Sequence, residues 1–499
     1  MTDVLLGQAY YQRFDPKLAD AAQPFPPLGA LLAAACARDA GHPVAFFDSM
    51  LAGSPREWEA ALDRVRPRFA VVYEDSFNYL SKMCLGRMRE AAFAMIASAR
   101  ARGVTALVAG SDATDHDAAY LDAGAHAVVR GEGEITLCQA LDALTGRREG
   151  GLPAVAGLAL RRADGTVQRT PPRPFVKDLD VLPFPAWDLV DWDRYRAVWR
   201  GRHGYHSVNV ATTRGCPYHC NWCAKPVYGQ RYAVRSPERV AAELAWLKRA
   251  YAPDHVSFVD DIFGLRPGWL PAFADAVQAA DARLPFRCLS RADLLDDAAV
   301  AALARAGCRT IWIGAESGSQ RILDAMEKGT TVEEIRAAAR RVHAAGLEIG
   351  FFLQFGYPGE TREDIDRTRA LVRECAPDDI GISVSYPLPG TPFYDRVRAE
   401  LGTKQNWDDS ADLAMMYRGP FPTGFYRELH TLVHHEFRLR RPRGRRSLAR
   451  DVAARLFHAA ALPVSHARLA RLARRPHAGV APLSAVLTRA QAAVPSEQG

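Results

Sequence analysis

The segment "TRGCPYHCNWC", residues 213–223, sets Cys216, Cys220 and Cys223 in a Cys-x-x-x-Cys-x-x-Cys spacing, with Gly215 and Pro217 around the first thiol. Three thiols this close suit a metal centre held in a loop. A 4Fe–4S cluster has a small core on which its thiolates must converge, and three ligands leave one iron open to an exogenous group. Structural zinc, with His219 or another residue as fourth ligand, is the alternative. Zinc sites usually pair two Cys-x-x-Cys-like halves, however, and no second half is visible. Three unrelated buried cysteines would rarely fall at this spacing.

The elements around the motif must position it. "HSVNVAT", just before the cysteines, is the first of six apolar, β-rich runs between residues 205 and 395; "HVSFVDD", "FRCLSRA", "RTIWIGAE", "LEIGFFLQF" and "DIGISVSYP" follow. Helical stretches such as "SPERVAAELAWLKRAY" and "TTVEEIRAAARRVHAAG" fill the gaps. This alternation predicts a curved parallel sheet, a partial (β/α)6 barrel, with its chemistry in the loops at the carboxyl ends of the strands. The cysteines occupy the first such loop.

Residues 1–150 alternate five further runs, "DVLLGQA", "PVAFFDS", "FAVVYED", "VTALVAG" and "AHAVVRG", with the helical "LGALLAAACARDAG", "REWEAALDRV" and "GRMREAAFAMIASARARG". The fold class is therefore α/β: an amino-terminal doubly wound, Rossmann-like parallel sheet, then the partial barrel, then a helical basic extension. Such sheets bind ligands at strand carboxyl ends near the switch point. No G-x-G-x-x-G follows the first strand, which disfavours a dinucleotide. Residues 151–204 read as a hairpin around Asp164-Gly165 and a Pro- and Trp-rich linker, and residues 396–499 as a helical accessory region with a basic tail.

A chain of 499 residues with 48% hydrophobic and 24% charged content has the balance of a soluble globular protein of several domains. "MTDVLLGQAYY" lacks a basic leader before an apolar run, so no signal peptide is expected, and the nine cysteines, odd and scattered, suggest a reducing cytoplasm. The net charge is +7, yet residues 437–475 carry twelve arginines against one acid, Asp451. The rest of the chain is therefore slightly acidic, which argues against nucleic-acid binding. The tail alternates arginine with Leu, Ala and Phe in helical fashion. It reads as a helix for an anionic membrane surface, as a support for a lipid-like substrate, or as a solvated appendage.

The cysteine spacing, Trp222 before the last cysteine and the six-strand series together resemble the radical S-adenosylmethionine (SAM) superfamily. The resemblance implies that the open iron chelates the amine and carboxylate of SAM, and that an external electron donor such as a flavodoxin or ferredoxin drives its cleavage to a 5′-deoxyadenosyl radical. It also implies cofactor contacts at successive strand ends. Asp260 and Asp261 in "FVDDIFG" stand where many members have Gly-Gly-Glu, facing the cofactor amino group. Ser290 and Arg291 end the third strand. Glu316 and Ser317 end the fourth, for ribose or carboxylate, and Gln354 and Gly356 end the fifth, where backbone meets adenine.

The amino-terminal half, with "PFPPLGALLAAACARDAGHPVAFFDS", "VVRGEGE" and the linker "DLDVLPFPAW", resembles the cobalamin-binding branch of that superfamily across roughly residues 1–440. The resemblance implies a cobalamin near Pro27, Gly29, Ser76, Gly110, Gly131 and Glu132. No Asp-x-His-x-x-Gly is present, since His42 follows "DAG" and His116 follows "TD", so the cobalt is expected without histidine ligation. The expected activity is methylation of an unactivated carbon, or phosphorus, in a small-molecule or lipid-like intermediate. An oxidative cyclase or rearrangement enzyme like the anaerobic magnesium-protoporphyrin ester cyclase, and a non-catalytic cobalamin or cluster sensor, are the alternatives. Trp312, Phe352 and Tyr386 are aromatic candidates for the barrel interior, and as strand residues they equally suit a core.

Overall fold

The computed structural model describes residues 2–14, 16–74, 85–223, 227–401, 413–440 and 448–474. Its first sheet contains β1 (Val4–Gly7), β2 (Val44–Phe47), β3 (Phe69–Tyr73), β4 (Thr105–Ala109), β5 (Ala127–Val129), β6 (Leu158–Arg161) and β7 (Val167–Arg169), in the order β2-β1-β3-β4-β5-β6-β7. The first five strands are parallel. Successive strand residues point to opposite faces. Leu5, Ala70, Val72 and Val108 accordingly pack with Trp58 on one face, and Val4, Leu6, Val71 and Leu107 pack with Leu137 on the other. Both faces are covered, which is why these runs are apolar throughout. The order 2-1-3-4-5 puts the switch point between β1 and β3.

The hairpin expected after residue 150 is part of this sheet. Its first strand pairs antiparallel with β5, Val128 opposite Ala159, and β7 closes the edge. Thr170 fixes the junction, its hydroxyl accepting the Leu158 N–H at 2.8 Å. The linker lacks periodicity because indoles anchor it: Trp187 Nε1 donates to Glu243 at 2.9 Å, and Trp199 Nε1 donates to the Pro24 carbonyl at 2.7 Å.

The second series begins with β8 (Ser207–Val210), followed by the short antiparallel pair β9 (Thr213–Arg214) and β10 (Ala233–Val234). Then come β11 (His255–Phe258), β12 (Phe286–Ser290), β13 (Cys308–Glu316), β14 (Glu348–Phe355) and β15 (Asp379–Val384). Six of these form a parallel half-barrel sheet in the order β15-β14-β13-β12-β11-β8. Helices between them start at clear signals. Thr331 with Glu334, and Thr361 with Asp364, form reciprocal capping boxes at Val332–Ala344 and Arg362–Cys375.

The chain divides into two compact units. One gathers residues 1–217 with 225–288; the other gathers 218–224 with 289–405 and the C-terminal helices. Those helices include Thr423–Arg440 and Leu448–Ala473.

Candidate active site

In the first unit the loop leaving β8 carries Cys216. Asp260, just beyond β11 and 2% exposed, fastens that loop. It accepts the N–H groups of Thr212 and Thr213, each at 2.7 Å, and their hydroxyls at 2.7 and 3.1 Å. Burial pushes its carboxyl up to about 6, against those hydrogen bonds. Asp260, expected to meet the cofactor, is thus occupied with the loop, while its neighbour Asp261 is exposed. Gly215 turns the chain at φ +74°, and a Cβ there would lie 2.2 Å from the Arg231 carbonyl, so only glycine fits. The Cys216 thiol follows, buried.

Arg214, beside that glycine, is 3% exposed. Its guanidinium forks into two buried carboxylates of "GEGE": Nη1 lies 3.0 Å from Glu132 Oε1, and Nη2 lies 2.7 Å from Glu134 Oε1. The other Glu132 oxygen accepts the Val176 N–H at 2.8 Å. Glu132, expected beside cobalamin, therefore spends its carboxylate on protein partners. Nothing local in the sequence marked Arg214 or Glu134 for this role, because the pairing spans 80 residues.

In the second unit Asn221, between Cys220 and Cys223 and 1% exposed, anchors the rest of the motif. Its side-chain N–H donates to the Ala325 carbonyl at 2.8 Å and to Glu327 at 3.1 Å; its backbone N–H donates to Met326 at 3.1 Å. The Tyr357 hydroxyl lies 3.0 Å from Asn221 Oδ1 and 2.8 Å from the Ala325 carbonyl. Trp222 buries its indole N–H without a partner among the described residues. Cys220 and Cys223 are part-exposed thiols, and His219 is exposed.

The strand ends of this unit converge on charged pairs. Glu316 closes β13 in a left-handed conformation, φ +54°, at a register shift in its pairing with β14. It accepts from Lys328 Nζ at 2.9 Å, and both groups are buried. Burial works against the Lys328 ammonium, but the charges of Glu316 and Cys220 outweigh it and raise its pKa above the ordinary value. Lys328 was absent from the sequence-based site. Gly314 makes room for the pair, since a Cβ there would come within 2.3 Å of Glu316 and 2.5 Å of Lys328. Arg291 stacks 3.6 Å from the Tyr218 ring centre and is held by Asp293 at 3.0 Å. Ser290 is buried beside it.

Ser317 shares a hydrogen bond with Thr368 at 3.1 Å, and Gln354 donates to Ser385 at 3.1 Å. The Gly356 N–H donates to Glu360 at 2.6 Å, and its carbonyl accepts from the Tyr417 hydroxyl. Trp312 and Phe352 stack at 4.7 Å between centroids. The bare Gly350 lets the indole lie flat, for a Cβ there would meet Trp312 at 2.4 Å.

The groups the sequence implies can be tested against these surroundings. Three thiols on a loop whose tight turn demands glycine are a donor set for an iron–sulfur cluster, and the partnerless Trp222 N–H awaits an acceptor. Among the described residues no three His, Cys, Asp or Glu side chains gather tightly enough for a single metal ion. A cubane spreads its thiolates over separate irons and does not need that. At the β1/β3 switch point, Gln8 buries an amide oxygen with no partner directly after β1. Burial, and then the charge of Asp112, push the carboxyl of Glu74, directly after β3, up to about 8. Gly110 and Gly131 follow β4 and β5; Gly131, at φ +73°, has open space where a side chain would stand. Pro27 and Gly29 are buried at the start of helix Leu28–Asp39. This polar, glycine-lined edge fits a corrin with amide side chains. Ser76 lies outside the described residues.

Comparison with known proteins agrees with this geometry. Residues 210–372 match the Radical SAM superfamily. An uncharacterized methyltransferase of Pyrococcus horikoshii is 32% identical over 284 residues, 56% of this chain and 60% of that protein. The anaerobic magnesium-protoporphyrin IX monomethyl ester cyclase of Rubrivivax gelatinosus is 27% identical over 56% of this chain and 49% of its own. The chain thus spans about half the length of these curated relatives. The solved structure of OxsB, a cobalamin-dependent SAM radical enzyme with aqua-cobalamin and SAM bound, shares the fold over 93% of this chain and 71% of that one, with a TM-score of 0.68 at 16% identity.

Proposed function

We propose that this chain, whose residues 210–372 match the Radical SAM superfamily, is a cobalamin-dependent member that methylates an unactivated carbon, or phosphorus, of a small-molecule or lipid-like intermediate. The observation that carries this reading is the Arg214 fork. It ties the turn after β5, on the edge suited to cobalamin, to the loop two residues before Cys216, and every group in it is buried. The edge suited to cobalamin and the Cys216 end of the cysteine loop thereby lie in one compact unit.

When bound, the cluster and cobalamin would supply one-electron cleavage of SAM and a carrier for its methyl group. The chain's own residues hold, orient and shield. Cys216, Cys220 and Cys223 ligate the cluster, Trp222 covers it, and Asp260 and Asn221 fix the loop from either end. Asp261, Ser290, Arg291, Glu316, Ser317, Gln354 and Gly356 receive SAM, with Lys328 keeping Glu316 in place. Pro27, Gly29, Gly110, Gly131 and Glu132 border the corrin. An external one-electron donor is required.

A second reading, oxidative cyclisation, is favoured by the similarity to the ester cyclase. The deciding experiment is anaerobic purification, reconstitution with iron, sulfide and cobalamin, and reaction with SAM and a strong reductant, with 5′-deoxyadenosine and S-adenosylhomocysteine quantified together. Both products are expected. Deoxyadenosine alone, with cobalamin bound, would favour the cyclase reading, and neither product would overturn enzymatic function in favour of a sensor.

A further inference from the structure

The helix Leu448–Ala473 packs one side inward and exposes an apolar stripe on the other. Its inner side buries His458, Ser465 and Leu469, and His458 lies 2.8 Å from His435 of the helix Thr423–Arg440, Nδ1 to Nδ1. Its outer side exposes Val452 (46%), Leu456 (66%), Phe457 (65%) and Val464 (51%), four of the six large hydrophobics exposed among the described residues. At 100° per residue these four fall within one broad sector, together with the exposed Ala453, Ala460, Pro463 and Ala467. A solvent-facing helix normally carries its charges on that sector. Here that sector carries none from Val452 to Ala467.

The charges lie at the ends instead. Arg468, Arg471 and Arg474 are exposed and continue the outer side beyond Ala467. Before the helix the sequence supplies Arg441, Arg443, Arg445 and Arg446, and no acid occurs from Val452 to Arg474. No described helix is long and apolar enough to cross a membrane.

We propose that the outer face of this helix docks in the plane of an anionic lipid surface, with Val452, Leu456, Phe457 and Val464 entering the apolar layer and the exposed Arg468, Arg471 and Arg474 meeting lipid phosphates. An exposed apolar stripe that runs into arginines, with no acid from Val452 to Arg474, matches a layer that is apolar beneath and negative above. A parallel second copy matches poorly, because it would bring Arg468, Arg471 and Arg474 against their counterparts. The inference uses neither cofactor and stands apart from the proposed methyl transfer.

The test is co-sedimentation of the full chain with vesicles of phosphatidylcholine alone and of phosphatidylcholine with phosphatidylglycerol. Binding is expected to the anionic vesicles only and to weaken with salt. The double variant Leu456→Glu/Phe457→Glu should lower partitioning at least about tenfold, and Arg468→Ala/Arg471→Ala should remove most of the salt dependence. All four side chains are exposed, so thermal unfolding should change little in either variant, beyond the loss of an edge contact between Phe457 and the His435 ring. Absence of binding to anionic vesicles at low salt would overturn the proposal. So would equal binding by the Leu456→Glu/Phe457→Glu variant, or a wild-type dimer in sedimentation that the same variant converts to monomer without vesicle binding.

Discussion

Lys328 and Glu316 form an ion pair from which water is nearly excluded, so each holds the other's charge inside the protein. Removing one partner leaves the other uncompensated, at a cost of about 3–5 kcal/mol. Lys328→Met should therefore lower the denaturant midpoint strongly, and adding Glu316→Gln should recover a large part of the loss; additive losses in the double-mutant cycle would show that the pair is not coupled. Glu360 makes a pH prediction. Burial raises its carboxyl from an ordinary 4.5 to about 8, so between those values the folded protein keeps a proton that the unfolded chain releases. Stability must then fall as pH rises through that window, by at most roughly 1.4 kcal/mol per pH unit. Glu360→Gln can still accept the Gly356 N–H, and should match wild type near pH 5 but exceed it near pH 9 in thermal unfolding; parallel pH profiles would contradict the assignment. The three cysteines were legible because their spacing is local. Lys328, Asn221 and Tyr357 were not, because their partners are set by tertiary packing: the Asn221 amide reaches a carbonyl 104 residues away.

The element that decides the site is the short β9–β10 pair, which closes the cysteine loop on itself. Arg214 lies within β9 and Gly215 follows it, one bonded to Glu132 and Glu134, the other pressed against Arg231. Arg214→Leu strands two buried carboxylates and should destabilise by about 3–5 kcal/mol. Arg214→Lys should recover only part, because an ammonium cannot reproduce the fork to two acceptors. Chemical denaturation of both variants checks this, and a lysine variant as stable as wild type would show that charge alone suffices. Strands and helices were readable from the sequence because each buried run is bounded by glycine, proline or a cap, as at Thr331 and Thr361. The hairpin was readable as a hairpin, but its membership of the first sheet was not. Antiparallel addition at an edge depends on which strand is left uncovered, and here β5 offered its edge.

At the scale of the molecule, the boundary between compact units falls inside the cysteine motif and again inside β12, not at the Pro- and Trp-rich linker. That linker is nailed down by Trp187 and Trp199, so a change in composition did not mark a change in body. The amino-terminal sheet and the start of the half-barrel consequently share one unit, and the proposed function rests on that sharing: the edge proposed for cobalamin is fixed to the Cys216 end of the cysteine loop. The most direct measurement is the yield of S-adenosylhomocysteine as a function of cobalamin occupancy in the reconstituted, anaerobic, full-length protein. The account predicts that cobalamin stays with the protein through gel filtration and that the yield rises in proportion to its occupancy and vanishes without it. A protein that retains no cobalamin, or one that forms as much S-adenosylhomocysteine without it, would contradict the account.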